Sequence, residues 1–194
     1  MTDSSQSAPV NKTSTRKPGA QIITAAQMVK ALILDVDGVL TDGKLYYGNE
    51  GEELKAFNIQ DGLGIKLLQR AGIKVGIITA RTSAVVSRRS EELGIDLLIQ
   101  GREDKLNALQ EIIAEQSLPC TLTEIAYMGD DLPDLPVIRK VGLGMTVANA
   151  STTVAQHAQW QSGFPGGSGA VREAAELILN AQNKLESVLA DYLQ

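Results

Sequence analysis

The sequence contains a single cysteine, Cys120, so an internal disulfide framework is excluded. One cysteine suits a reducing compartment, and we expect a cytoplasmic protein. No apolar run approaches the roughly 18 residues that a membrane-spanning helix needs, so we expect no membrane partner. The first 20 residues, rich in Ser and Thr, lack the apolar stretch of a secretory signal. We therefore predict a disordered tail over residues 1–25.

An excess of positive charge is also lacking, because 18 basic residues are outnumbered by 23 acidic ones and the net charge is −5. Such a balance excludes nucleic-acid binding by bulk electrostatics. An anionic small molecule can still be held by a few placed cations and a metal ion. Histidine occurs once, at His157, outside every motif described below, and we interpret it as structural or solvated.

From Lys30 onward, short apolar runs alternate with amphipathic stretches. The predicted strands are Ala31–Leu34, Lys74–Ile78, Leu97–Ile99, Ile125–Met128 and Leu143–Val147. The predicted helices are Leu63–Ala71, Ser83–Leu93, Lys105–Gln116, Leu135–Lys140 and Ala170–Leu193. This alternation predicts parallel βαβ units, and near-continuously apolar strands predict a sheet covered on both faces. We expect one α/β domain over residues 26–194.

One segment, residues 42–61, interrupts the alternation between the first strand and the first helix. It holds two strand-like runs around Gly48-Asn49-Glu50-Gly51, which predicts a β-hairpin.

Two acidic clusters follow predicted strands: Asp35-Val36-Asp37-Gly38, and Gly129-Asp130-Asp131-Leu132-Pro133-Asp134. In a parallel sheet, ligands bind at the carboxyl ends of the strands, where both clusters fall. Either one alone is compatible with an acidic turn or a helix cap. Buried carboxylates are costly unless they face cations or a metal, and hard oxygen ligands suit Mg²⁺. Together the clusters predict a magnesium site.

Two further polar residues lie where a predicted strand leads into a predicted helix or where a helix starts. Thr79 follows a strand and precedes a helix, where a hydroxyl and backbone N–H groups can hold a phosphate, although threonine is also an ordinary cap there. Lys105 opens a helix, where its charge opposes the helix dipole. That placement indicates a functional lysine, with a solvated side chain as the alternative.

These four motifs, in the order in which they occur along the chain, resemble those of the haloacid dehalogenase superfamily of phosphohydrolases. The resemblance covers roughly residues 30–179. The resemblance implies a three-layer Rossmann-like fold. It implies that Asp35 is the nucleophile that forms an aspartyl-phosphate and that Asp37 is the general acid and base. It also implies that Mg²⁺ is held by Asp35, Asp130 and the main-chain carbonyl of Asp37.

The same resemblance assigns supporting roles to four more residues. Thr79 would bind the phosphoryl oxygens, and Lys105 would neutralise charge on Asp35 and the phosphoryl group. Asp134 would support the metal ligands, and Asp131 would be a lesser metal or water contact.

The chain leaves no room for a cap domain. Together with this layout, three segments resemble the 3-deoxy-D-manno-octulosonate 8-phosphate phosphatase subfamily: the hairpin, Phe57–Gly62 and the glycine-rich Gly166–Glu173. The resemblance implies a homotetramer in lipopolysaccharide biosynthesis, with the hairpin contributing to assembly. The resemblance implies a phosphorylated sugar acid as substrate, with Asp61, Arg81 and Arg102 near it. It also implies that Arg172 reaches into the active site of a neighbouring subunit. Arginines suit a substrate with a carboxylate and a phosphate. Arg102 stands where glutamine is more usual.

Other interpretations stay open from the sequence. The same chemistry on a nine-carbon, sialic-type sugar acid phosphate fits the core motifs equally well. Phosphoryl transfer between sugars is disfavoured, because mutases usually carry a water-excluding cap. A non-enzymatic binding module would not need all of the chemical residues that are present here.

Overall fold

Short aliphatic runs form the strands of the central sheet in the computed structural model, which describes residues 18–51 and 53–193. The strands are β1 (Ala31–Leu34), β2 (Tyr46–Tyr47), β3 (Glu53–Leu54), β4 (Lys74–Ile78), β5 (Leu97–Ile99), β6 (Ile125–Gly129), β7 (Leu143–Thr146) and β8 (Trp160–Gln161). The helices are α1 (Ala20–Met28), α2 (Ile59–Arg70), α3 (Ala84–Leu93), α4 (Lys105–Ala114), α5 (Leu135–Ile138), α6 (Thr152–His157), α7 (Ala170–Ala181) and α8 (Leu185–Leu189). Short 3-10 helices cover Leu122–Glu124, Leu132–Asp134 and Ala190–Tyr192.

The main sheet has six parallel strands in the order β5-β4-β1-β6-β7-β8. Strand β1 lies near its middle, where Leu34 pairs with Ile77 on one side and Met128 on the other. The strand order reverses direction at β1, which creates a crevice at the carboxyl ends of β1, β4 and β6. All five predicted strands are confirmed.

Helices cover both faces of the sheet. Leu32 and Leu34 of β1 belong to an apolar cluster with α1, α2 and α7, whereas Ala31 and Ile33 belong to a second cluster with α4 and α5. This alternation follows from the two-residue period of a strand. Each large aliphatic side chain buried in this way stabilises the fold by about 1.5–3 kcal/mol. The result is the predicted three-layer α/β architecture.

The predicted hairpin is confirmed as an antiparallel pair outside the main sheet, in which Tyr46 pairs with Leu54 and Tyr47 with Glu53. The hairpin follows β1 and precedes α2 along the chain. Helix α2 begins four residues earlier than predicted, because the Asn58 side chain caps it by accepting a hydrogen bond from the Gln60 N–H at 2.7 Å.

Several boundaries differ from those predicted. The tail boundary at residue 25 is corrected, because α1 begins at Ala20 and buries Ala26 in the core; residues 1–17 lie outside the described part. The single C-terminal helix Ala170–Leu193 was wrong, because α7 ends at Ala181 and Asn183 adopts a left-handed φ of 54° before α8. Helix α6 and the two-residue strand β8 were not predicted, since both are short.

No helix within the described ranges combines the length and apolar character that crossing a bilayer requires.

Candidate active site

The side chains of both acidic clusters meet at the carboxyl ends of β1, β4 and β6, around a cavity of about 260 Å³. Asp35 follows β1, Thr79 follows β4 and Asp130 follows β6. The lining residues are Asp35, Asp37, Gly43, Thr79, Ala80, Arg81, Lys105, Asp130, Asp131, Pro133 and Asp134. The structure thus brings together eight of the eleven residues that the sequence predicted for the site.

Lys105 links the two acidic clusters. Its Nζ atom lies 2.9 Å from Asp35 Oδ1 and 2.6 Å from Asp134 Oδ1, and its side chain is only 3% exposed. Burial by itself lowers the pKa of Lys105, but the two carboxylates outweigh it and the pKa is raised. The first position of α4 is a poor place for a cation, so these carboxylates explain why a charged lysine is stable there.

Asp134 organises the loop after β6. Its Oδ1 atom accepts the Tyr127 hydroxyl at 2.6 Å as well as Lys105, and its Oδ2 atom accepts the backbone N–H groups of Asp130 and Asp131 at 3.0 and 3.2 Å. These contacts occupy its carboxylate and fix the backbone that presents Asp130. Tyr127 was not predicted, because a tyrosine within an apolar strand looks like an ordinary core residue.

The Asp35 and Asp130 carboxyls lie in an unusual electrostatic environment. Burial, followed by the charge of Asp134, raises the pKa of Asp35 to about 7 despite Lys105. Burial, followed by the charges of Asp35 and Asp134, raises the pKa of Asp130 to about 7. Two carboxyls with elevated pKa values indicate that the site has less positive charge than its acidic groups require.

The donor set fits a divalent cation. Carboxylate oxygens of Asp35, Asp130 and Asp134 lie within 4.8 Å of one another. Both Asp134 oxygens already accept hydrogen bonds, which leaves Asp35 and Asp130 as the carboxylates that face a cation. Within the described ranges, no lysine, arginine or histidine lies within ion-pair distance of the Asp130 carboxylate, whereas Asp35 and Asp134 share Lys105. Clustered hard oxygens with one unpaired carboxylate are the environment that Mg²⁺ prefers.

The hairpin reaches the same site at Asp37. Lys55, just after β3, forms an ion pair with Asp37 Oδ1, and Arg81 Nε lies 3.8 Å from Asp37 Oδ2. Glu53 bridges these two cations, with its Oε1 atom 3.3 Å from Lys55 Nζ and 3.7 Å from Arg81 Nη2. The Arg81 guanidinium also donates to the Tyr47 hydroxyl at 3.0 Å. Lys55 and Glu53 were missed, since a charge in a hairpin usually faces solvent.

The side chain of Asp61, a residue of α2 that was predicted near the substrate, reaches the start of α7. Its Oδ1 atom accepts the Arg172 N–H at 2.9 Å and its Oδ2 atom accepts the Gly169 N–H at 3.2 Å. Burial raises the pKa of Asp61, against the lowering effect of these N–H donors. Asp61 therefore caps a helix from a distant part of the chain, and it does not line the cavity.

The other two predicted arginines also lie away from the cavity lining. Arg102 makes paired hydrogen bonds to Asp104 at 2.7 and 3.0 Å and to Glu111 at 2.8 and 3.0 Å. The Arg172 side chain donates to Glu176 at 2.7 Å. Arg102 is thus held by carboxylates at the start and in the middle of the following helix α4, and Arg172 by a carboxylate of its own helix α7.

The glycine-rich segment packs against the loop of the first acidic cluster. The Gly167 N–H donates to the Val39 carbonyl at 2.9 Å. A Cβ atom on Gly166 would fall 1.7 Å from the Gly38 carbonyl oxygen, so only glycine allows this approach. The segment therefore supports the loop that carries Asp35 and Asp37.

Comparison with known proteins places this geometry in a family. The family model described as haloacid dehalogenase-like hydrolase matches residues 98–172. A 3-deoxy-D-manno-octulosonate 8-phosphate phosphatase KdsC from Yersinia pestis is 48% identical over 165 residues, covering 85% of this chain and 87% of that protein. The chain belongs to the haloacid dehalogenase-like hydrolases.

Solved structures of this hydrolase family show the same fold. A probable yrbi family phosphatase from Pseudomonas syringae superposes with a TM-score of 0.88 at 49% identity, covering 91% of this chain and 99% of that one. A 3-deoxy-D-manno-octulosonate 8-phosphate phosphatase from Moraxella catarrhalis, in complex with a magnesium ion, a phosphate ion and a KDO molecule, has a TM-score of 0.86 at 45% identity, with coverages of 89% and 98%. The predicted resemblance and the predicted fold class are therefore confirmed.

Proposed function

We propose that this chain is a Mg²⁺-dependent phosphatase that hydrolyses 3-deoxy-D-manno-octulosonate 8-phosphate to the free sugar acid and phosphate, in lipopolysaccharide biosynthesis. The observation that carries the proposal is the buried Asp35 carboxylate, held by Lys105 beside an unpaired Asp130 carboxylate in an open cavity. The relatives' names support this substrate, and the Moraxella complex contains both reaction products.

Asp35 is the nucleophile in this proposal. Lys105 contacts its Oδ1 atom, which leaves Oδ2 to attack phosphorus. As the bond from phosphorus to the sugar oxygen breaks, Asp37 donates a proton to that oxygen and the sugar acid leaves. The aspartyl-phosphate is then hydrolysed by water, whose proton Asp37 accepts, and phosphate and free Asp35 are regenerated.

The metal ion would be held by Asp35, Asp130 and the main-chain carbonyl of Asp37, and Asp131 would contact it or its water. When bound, Mg²⁺ supplies positive charge that offsets the carboxylates and the phosphoryl oxygens. Thr79, at the end of β4, would donate its hydroxyl to a phosphoryl oxygen. Lys105 would stabilise negative charge on the transferring group from the protein side.

Arg81 is the best-placed residue for the sugar carboxylate. It lines the cavity, its side chain is 43% exposed, and its contact with Asp37 is long enough to allow a new partner. A guanidinium can bind a carboxylate through two hydrogen bonds. Arg172 would contact the substrate only in the active site of a neighbouring subunit.

We further propose that the protein assembles into a homotetramer through the hairpin, in the cytoplasm. Leu54 and Tyr46, which pair across the two strands of the hairpin, are 62% and 41% exposed, and Tyr47 on its other face is 62% exposed. Clustered exposed aromatic and aliphatic side chains are typical of protein interfaces. Light scattering after size exclusion tests this assembly, and a stable monomer would contradict it.

Phosphate release from a panel of sugar acid phosphates, with and without Mg²⁺, tests the function. We expect Mg²⁺-dependent hydrolysis with a preference for the eight-carbon 8-phosphate, lost in Asp35→Asn. A preference for a nine-carbon sugar acid phosphate would keep the mechanism and reject the substrate. No Mg²⁺-dependent hydrolysis of any compound would favour a binding module.

A further inference from the structure

We propose that Lys55 is a positioning residue for Asp37: it holds one carboxylate oxygen so that the other faces the reacting bond. This inference rests on the proposed phosphatase function. It assigns a role in turnover to the hairpin, beyond its proposed role in assembly.

The side chain of Lys55 is almost completely buried. It is only 2% exposed, and its ammonium contacts Asp37 Oδ1 and lies 3.3 Å from Glu53 Oε1. A buried ammonium is costly to desolvate, and an apolar residue of similar shape often stabilises a fold as well or better. Stability alone therefore gives a weak reason for a charged residue at this position, which directs attention to what the charge contacts.

The contact divides the two oxygens of Asp37. Oδ1 is occupied by the Lys55 ammonium, whereas Oδ2 lies towards Arg81, which lines the cavity. In the proposed reaction, Oδ2 would carry the proton that moves to the sugar oxygen as the phosphorus–oxygen bond breaks. Without Lys55, the Asp37 side chain would be free to rotate, and misplacing a proton donor by about 1 Å can lower a rate about 100-fold.

A second feature ties this contact to the hairpin. Glu53 of β3 contacts both Lys55 and Arg81, and Tyr47 of β2 accepts a hydrogen bond from Arg81. The hairpin thus contributes three side chains to the surroundings of Asp37, which itself belongs to the loop after β1. The position of Asp37 consequently depends on a segment outside the main sheet.

Leaving-group dependence distinguishes positioning from a merely structural role. An alkyl phosphate needs a proton on its leaving oxygen, whereas p-nitrophenyl phosphate releases a stable anion without one. We expect Lys55→Met to lower kcat/KM about 10- to 100-fold for 3-deoxy-D-manno-octulosonate 8-phosphate, and less than about threefold for p-nitrophenyl phosphate. Lys55→Arg should recover part of the alkyl activity. The ratio of the two kcat/KM values is independent of the fraction of folded protein.

Two further variants complete the test. In an Asp37→Asn background, Lys55→Met should not change the ratio again, because the carboxylate that Lys55 holds is gone. Lys74→Met, the same substitution at an exposed lysine at the start of β4, should leave the ratio unchanged. An unchanged ratio in Lys55→Met, or an equal further loss in the double variant, would overturn the inference. Absence of Mg²⁺-dependent hydrolysis by the unmodified protein would overturn the proposed function and the inference with it.

Discussion

Gly38 approaches Asp130 so closely that a Cβ atom on the glycine would lie 2.0 Å from Asp130 Oδ2. Gly38 also has a φ of +97°, a backbone angle that residues with a side chain rarely adopt. Because residue 38 has no side chain, the turn after β1 can lie directly against Asp130, and the two acidic clusters come together. In this way the backbone at Gly38 determines where the Asp130 carboxylate lies.

We predict that Gly38→Ala weakens Mg²⁺ binding at least about tenfold and destabilises the fold by about 1–2 kcal/mol, since Asp130 must move and the backbone is strained. Gly72→Ala is the matched control, because Gly72 has a φ of +79° but no atom within 4 Å of its Cβ position. It should show the destabilisation without the loss of Mg²⁺ affinity. Calorimetric Mg²⁺ titration and thermal unfolding measure both effects, and equal Mg²⁺ affinity in the two variants would contradict the prediction.

Mg²⁺ binding should depend strongly on pH. Because the pKa values of Asp35 and Asp130 are raised to about 7 in the metal-free protein, the cation must displace protons below that pH. We predict that the apparent Mg²⁺ affinity falls about tenfold or more for each pH unit below 7. Titrations at several pH values from 5.5 to 8 measure this, and an affinity that is constant over the range would count against the assigned ligands.

The same raised pKa values predict how stability varies with pH. Between the ordinary value of 3.8 and about 7, the folded metal-free protein holds protons on Asp35 and Asp130 that the unfolded chain releases. Their contribution to stability is therefore present at low pH and is lost as the pH rises through about 7. Excess Mg²⁺ should raise Tm most above pH 7, and a Tm increase that is largest at pH 5.5 would be inconsistent with this sign.

Asp37→Ala should separate turnover from metal binding. We predict a fall in kcat of about 100- to 10,000-fold, the range expected when a general acid and base is removed. Mg²⁺ affinity should change by less than about threefold, because only the main-chain carbonyl of residue 37 would contact the ion. Steady-state kinetics alongside Mg²⁺ titration provides the comparison. Near-normal turnover in this variant would remove Asp37 from its assigned role.

The Asp61→Ala variant distinguishes two roles for Asp61: the helix cap seen in the structure and the predicted contact with substrate. Loss of its carboxylate leaves the N–H groups of Gly169 and Arg172 without their acceptor, which should cost about 1–3 kcal/mol of stability. KM should stay unchanged for the folded fraction. A raised KM with unchanged stability would instead support substrate binding by Asp61.

Much of the fold and the chemical centre could be predicted from the sequence, because they depend on local patterns. Apolar runs determine the strands, and the carboxyl ends of parallel strands bring Asp35, Thr79 and Asp130 to one edge. Lys105 could be predicted to act there because its helix-start position is electrostatically unfavourable without a partner.

The remaining features depend on contacts between distant segments. The ion pair of Lys55 with Asp37 and the caps that Asp61 provides for α7 join residues 18 and over 100 positions apart, which no local pattern encodes. Charged residues are usually solvated, so Lys55 and Glu53 looked unremarkable in the sequence. The break at Asn183 was missed for a different reason, since the apolar spacing of α7 continues through α8 and hides the end of the first helix.

In the proposed mechanism, Asp35 takes the phosphoryl group. Acid quenching during turnover of 3-deoxy-D-manno-octulosonate 8-phosphate with Mg²⁺, followed by peptide mass spectrometry, tests it most directly. We predict one phosphoryl group on the peptide that contains Asp35, dependent on Mg²⁺ and absent in Asp35→Asn, which should also release no phosphate. Phosphate release by Asp35→Asn at a rate close to that of the unmodified protein would contradict the account.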